Sequence, residues 1–179
     1  MLEFVKEHWE VILGASAFCV SISATAIAFY SMWFQRQHNY KSLKPYIYIA
    51  PFDYENRIVI NMANEGVGPA IVKEIRVKNS QGQVRSSVFK WLPRKLPDDM
   101  NYKEYWTNPG GFVLKSGAEK YILEIPIDTS IPSQVKTREE IRSILKELTI
   151  TVDFEDVYSN KQSTYERKLN LFARTDHEN

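Results

Sequence analysis

The sequence predicts a mainly β protein, with one N-terminal transmembrane helix followed by an immunoglobulin-like β-sandwich carrying one inserted helix. Three observations predict it. Residues 11–34 carry no formal charge. From Tyr46 onward, apolar and polar residues alternate in short runs broken by Gly, Pro, Asn and Asp, the pattern of half-buried strands joined by turns. One later segment instead places Ile141, Ile144, Leu145 and Leu148 three and four apart, the period of a helix. The 179 residues thus divide into a short extracytoplasmic N-terminus (1–10), the transmembrane helix (11–34), a juxtamembrane linker (35–45), the β-sandwich domain (46–174) and a flexible tail (175–179).

The apolar run comes first. As a helix rising 1.5 Å per residue it reaches about 36 Å, more than the roughly 30 Å of a bilayer's hydrocarbon core. A cleaved signal peptide is the competing reading, with Ala26-Ile27-Ala28 as its cleavage pattern. The run is too long for that, and the stretch before it is acidic where a signal peptide is basic. Phe4 and Trp9 precede the run, and Phe29, Tyr30, Trp33 and Phe34 close it, as in an interfacial aromatic belt. Glu3, Glu7 and Glu10 outnumber Lys6 before the run, whereas Arg36, Lys41 and Lys44 follow it with no acid between them. Basic flanks stay on the cytoplasmic side, so the domain is expected there. Gly14, Ala17, Ser21, Ala24, Ala28 and Ser31 recur at spacings of three and four. Small residues on one face let helix backbones approach closely in lipid, which predicts a packing seam. The expected partners are the lipid bilayer and either a second copy of the chain or another membrane protein.

Strands follow from alternation in 46–49 and 57–62. Residues 64–69, Asn-Glu-Gly-Val-Gly-Pro, read as a turn, with both glycines free to adopt positive φ and Pro69 unable to donate to a ladder. Residues 70–77 form a third strand with Ile71, Ile75 and Val77 buried, and residues 79–82 turn the chain back into a strand over 83–89. Pro93, Pro97 and Pro109 make 91–111 a loop with at most a short helix. Strands return at 112–114 and 121–125, separated by the Lys115-Ser116-Gly117 turn. Thr137-Arg138-Glu139-Glu140 has the form of a capping box and marks the start of the helix. A last hairpin spans 149–154 and 163–172.

Two stretches carry a resemblance. Gln37-His38-Asn39-Tyr40-Lys41-Ser42-Leu43-Lys44-Pro45 directly follows a lone span, and Asn64-Glu65-Gly66-Val67-Gly68-Pro69-Ala70 sits between two strands. Together they resemble a loose group of bacterial single-span proteins with an N-x-G-x-G-P-A turn in a small β domain. Phe154-Glu155-Asp156-Val157-Tyr158-Ser159-Asn160 looks like their final hairpin turn. The resemblance implies a bacterial inner-membrane location and no particular chemistry.

Several chemistries are argued away. The only cysteine, Cys19, lies in the apolar run, and His8, His38 and His177 lie outside the domain's core. Neither a Ser-His-acid nor a Cys-His arrangement can be assembled within the domain, and no Cys/His zinc site exists there. Asp153, Glu155 and Asp156, and separately Asp98-Asp99, lack the spacing of a cation-binding loop. No metal, cofactor or catalytic residue is therefore expected. With 23 basic against 22 acidic residues, no overall nucleic-acid footprint is present either. One surface feature remains. Lys73, Arg76, Lys78, Arg85, Lys90, Arg94 and Lys95 stand against the single acid Glu74, with Phe89 and Trp91 among them. On a domain held beside an anionic leaflet, such charges suit lipid headgroups or another anionic ligand. The expected function is a non-catalytic binding or sensing module within a membrane assembly. The alternative is a membrane-perturbing effector of a phage-defence system, acting through an oligomerising span.

Overall fold

The computed structural model describes residues 8–97, 100–106, 111–158 and 164–173, and its chain forms two compact units, one through Ser42 and one from Leu43 onward. The first unit is the helix α1 (Trp9–Ser42), long and apolar enough to cross a membrane. It continues past Phe34 through residues assigned above to a linker, because nothing in 35–42 breaks a helix; the first proline is Pro45. None of its residues is buried. Four of its hydroxyls nonetheless find partners within the helix: Ser16, Ser21, Ser23 and Thr25 each donate to a carbonyl of the preceding turn, at 2.8–2.9 Å. In hydrocarbon this removes the cost of an unpaired hydroxyl.

The second unit is mainly β, with nine strands among the described residues, in two antiparallel sheets. They are β1 (Ile47–Tyr54), β2 (Arg57–Asn64), β3 (Ala70–Lys78), β4 (Val84–Arg85), β5 (Glu104–Tyr105), β6 (Phe112–Leu114), β7 (Glu119–Pro126), β8 (Thr149–Glu155) and β9 (Tyr165–Lys168). One sheet runs β1-β2-β7-β5; the other runs β4-β3-β8-β9, with β6 also paired to β3. Alternating residues of both sheets meet in one core, including Ile47, Ile49, Ile58, Ile60, Leu123 and Ile125 from the first and Val72, Ile75, Val77, Ile150 and Val152 from the second. Edge strand β1 carries Pro51, which cannot donate to an incoming strand.

Several local expectations are corrected. In β3 the buried residues are Ala70, Val72, Ile75 and Val77, and Ile71 is only half-buried. A register shift against β8 between Val72 and Glu74 resets the alternation, as a β-bulge does. The expected strand over 83–89 shrinks to β4, and the chain then winds into a 3₁₀ turn, Val88–Trp91. The soluble helix α2 (Pro132–Leu145) starts before Thr137, whose hydroxyl donates instead to Ser133 O within the helix at 2.9 Å. Pro132 presets the first turn, and the Gln134 side chain reaches back to accept from Asp128 N at 2.8 Å. The final strand is confined to β9 and ends in a 3₁₀ turn, Asn170–Ala173. The Asp98-Asp99 pair, Pro109, His177 and the 175–179 tail lie outside the described residues, as do Phe4, Lys6 and part of the 156–161 turn.

Candidate functional site

Three places draw polar chemistry together. The first is the Asn64–Pro69 turn, where the described backbone contradicts the reason given above for its glycines. Neither Gly66 nor Gly68 sits at positive φ; among the described glycines only Gly82, Gly111 and Gly117 do. The glycines are there for closeness. A Cβ on Gly68 would lie 1.8 Å from Leu43 O, and one on Gly66 would lie 2.3 Å from Tyr46 N. The turn is wrapped around the chain entering β1. Asn64, fully buried, holds it in place. Its Oδ1 accepts from Tyr46 N at 3.1 Å and Gly66 N at 3.0 Å, while its Nδ2 donates to Gly68 O at 2.8 Å and Leu114 O at 3.0 Å. Every donor and acceptor site of one amide serves a backbone group, which fixes segment 43–46, the turn and the end of β6 as one piece. Glu65 N donates to Tyr46 O at 2.9 Å, and Ser116 Oγ to Gly66 O at 2.8 Å, closing the clasp.

The second place is the basic run, which the fold splits in two. Lys73 and Arg76 project from β3 toward acids of β8. Lys73 Nζ lies 2.9 Å from Glu155, and Arg76 lies 2.5 Å from Asp153 and 2.8 Å from Glu74. These are solvent-washed pairs that contribute little to stability, but they cancel the charge of that half. They also account for the acidic residues Asp153 and Glu155, and no group of three or more metal-type ligands is found among the described residues. Asp156 is buried and accepts from Tyr158 N at 2.8 Å. Lys78 is exposed at the end of β3, opposite Thr149.

The other half behaves differently. Arg85, Lys90 and Arg94 line an open cleft of about 810 Å³ together with Phe89 and Leu92. Among the described residues no carboxylate pairs with Arg85, Lys90, Arg94 or Lys95. The 3₁₀ turn beneath this cleft is fastened on several sides. Arg85 donates to Lys90 O and lies over the Trp91 ring, 4.2 Å from its centroid. Lys90 Nζ donates to Ser86 Oγ at 2.7 Å. Phe89 stacks on Tyr105 at 4.3 Å and meets Tyr102 edge-on at 4.9 Å. Tyr102 donates its hydroxyl to Pro93 O at 2.6 Å, and burial pushes its pKa up to about 12. Trp91 is therefore a platform for Arg85, and only part of the predicted basic surface is brought together.

The six small residues of the helix, Gly14, Ala17, Ser21, Ala24, Ala28 and Ser31, are all exposed on α1. Nothing lies within 4 Å of where a Cβ on Gly14 would stand. Sequence reasoning missed a buried ionic cluster where α2 meets the end of β1. Asp53 takes Arg138 Nη2 at 2.8 Å on one oxygen and Arg142 Nε at 2.9 Å on the other; Arg142 also reaches Glu139 at 2.9 Å. A signal was present: Arg138 and Arg142 stand one turn apart on a helix with an apolar face. In that position long cations either snorkel or find a partner. No protein-family model matches the chain, and no curated protein is similar to it.

Proposed function

We propose that the protein is a single-span membrane protein whose β domain works by binding and not by catalysis, as part of a membrane assembly. The observation that carries this reading is α1. Its long apolar surface has no buried residue, and the hydroxyls of Ser16, Ser21, Ser23 and Thr25 bond within the helix, which suits a hydrocarbon surround. The basic residues Arg36, Lys41 and Lys44 after the apolar run favour a cytoplasmic domain, and the resemblance noted above favours a bacterial inner membrane. The strand order supports an immunoglobulin-like sandwich with an inserted helix. The order β1-β2-β7-β5 follows the ABED sheet of that fold and β3-β8-β9 its CFG sheet, with α2 between the E and F equivalents. The exposed small-residue face of α1 favours association with a second copy or another membrane helix. It equally serves the second reading, a membrane-perturbing effector.

The test is extraction and topology. The full chain should sediment with membranes after alkaline carbonate washing, and Ile22→Asp combined with Ala26→Asp should release it. Each midplane charge costs about 3 kcal/mol of insertion. A C-terminal fluorescent reporter should be active and a C-terminal phosphatase reporter silent; the reverse pattern overturns the orientation. Leakage on overexpression that is lost when Ala17, Ser21 and Ala24 become leucine would select the effector reading.

A further inference from the structure

We propose that the cleft formed by Arg85, Phe89, Lys90, Leu92 and Arg94 binds the headgroup of an anionic phospholipid. Lys90 and Arg94 would contact the phosphate, and Arg85 would act as a positioning residue. The inference rests on the membrane location proposed above, and it deepens that reading by naming the ligand class of one site.

Four observations carry it. The first is selective neutralisation. The chain supplies acids for Lys73 and Arg76, at 2.9 Å and 2.5 Å, yet no described carboxylate answers the three cations that share the cleft. Like charges gathered at one place repel unless an anion joins them. The second is preorganisation. Arg85 is pinned by the Lys90 carbonyl and the Trp91 ring, and the turn is braced by the Phe89–Tyr105 stack and the Tyr102–Pro93 hydrogen bond. A ligand therefore meets a formed site and loses little to ordering it.

The third is the mixed wall. Phe89 and Leu92 give the cleft carbon surface beside its cations. A free phosphate has no use for that surface, whereas a glycerophospholipid presents an apolar stem next to its phosphate. The fourth is size, since about 810 Å³ exceeds a bare anion and falls within the range of small-molecule pockets. In a membrane-held chain such a lipid is at high local concentration, so even a weak site fills.

The experiment uses the full chain in zwitterionic detergent micelles. It is titrated calorimetrically with dihexanoyl-phosphatidylglycerol, dihexanoyl-phosphatidylcholine and sodium phosphate in turn. The expected result is saturable binding of the phosphatidylglycerol, at least tenfold tighter than either comparison ligand and weakened by added salt. Lys90→Gln and Arg94→Gln, both at exposed positions, should each lower affinity about tenfold, with the thermal midpoint unchanged for Arg94→Gln and at most slightly lowered for Lys90→Gln, which gives up the Ser86 hydrogen bond. Lys73→Gln, whose charge Glu155 already answers, should leave affinity within twofold. Equal binding of phosphatidylcholine, phosphate binding as tight as the lipid, or wild-type affinity in both cleft variants each overturns the assignment. A chain that stays with membranes through carbonate washing but ignores phosphatidylglycerol loses only this inference. One that binds the lipid in micelles yet is washed free loses only the anchoring.

Discussion

The two ends of β1 are held by opposite means. At its start, the neutral amide of Asn64 makes four hydrogen bonds to backbone groups of three separate segments. At its far end, the carboxylate of Asp53 gathers the guanidinium groups of Arg138 and Arg142 from α2. Asn64 is fully buried, and the Asp53 side chain retains 13% exposure. The difference follows from desolvation. An amide with all its sites filled can be enclosed at small cost, whereas ions must keep some access to water or lose more hydration than their attraction returns. The ionic group is accordingly the less enclosed of the two: Asp53 keeps an edge to solvent, and its buried guanidinium partners are held against it.

The largest expected effect comes from placing a charge where only the amide fits. Asn64→Asp keeps the acceptor toward Tyr46 N and Gly66 N, but it cannot donate to Gly68 O or Leu114 O and buries a charge. A loss of about 4 kcal/mol is expected, read as loss of the cooperative thermal transition. A stable Asn64→Asp domain beside an unfolded Asp53→Asn one would invert the comparison. Gly68→Ala is next. Its Cβ would overlap Leu43 O, so the backbone must shift, at about 3 kcal/mol, measured by urea unfolding. Asp53→Ala follows at a similar size, about 3 kcal/mol, because it takes the enclosed anion from two buried guanidinium groups and leaves them only the exposed Glu139. Replacing Asp53, Arg138 and Arg142 together by apolar residues should cost less than Asp53→Ala alone, the signature of an ionic lock.

Smaller effects sharpen the picture away from β1. Tyr102→Phe removes the hydroxyl that holds Pro93 O, for about 1 kcal/mol. Because burial raises the folded-state pKa of Tyr102 to about 12 from 10.0, its contribution is complete below pH 10. It is lost as pH rises from there toward 12. The wild-type alkaline unfolding limb should flatten in the Phe variant. The smallest effect concerns Asp128, whose carboxyl is held below the usual range by the Ser130 hydroxyl and then by Ser130 N. A depressed pKa stabilises above the unfolded value and is lost as pH falls through the folded one. Ser130→Ala should therefore slightly reduce stability at neutral pH and leave it unchanged at strongly acid pH.

How much was legible depends on how local each cause was. The helix could be read because one property, lack of charge, persists over residues 11–34. The strands around Ile47 and Ile58 could be read because each is a short run rich in β-branched and aromatic residues bounded by turn residues, although β2 is buried along nearly its whole length and not on alternate residues. The bulge after Val72 could not, since it is set by pairing with β8 and leaves no mark on composition. The purpose of Gly66 and Gly68 was hidden for the same reason: the backbone they make room for belongs to Leu43, Pro45 and Tyr46, and a local reading offers only positive φ. The Asp53–Arg138 pair joins residues 85 apart in sequence, beyond any periodicity argument. The basic run was visible as a run, but its division was not, because the acids that quiet Lys73 and Arg76 arrive from β8.

The clasp also dictates where the chain can be cut. Segment 43–46 reads as the last of a tether, and trimming to Tyr46 would look like a clean way to release the domain. Such a fragment would strip Gly66 and Gly68 of the backbone they were shaped to admit and turn a packed loop into an open notch. A fragment beginning at or before Leu43 keeps the plug in the notch. Protease trimming of the intact chain should accordingly stall before Leu43.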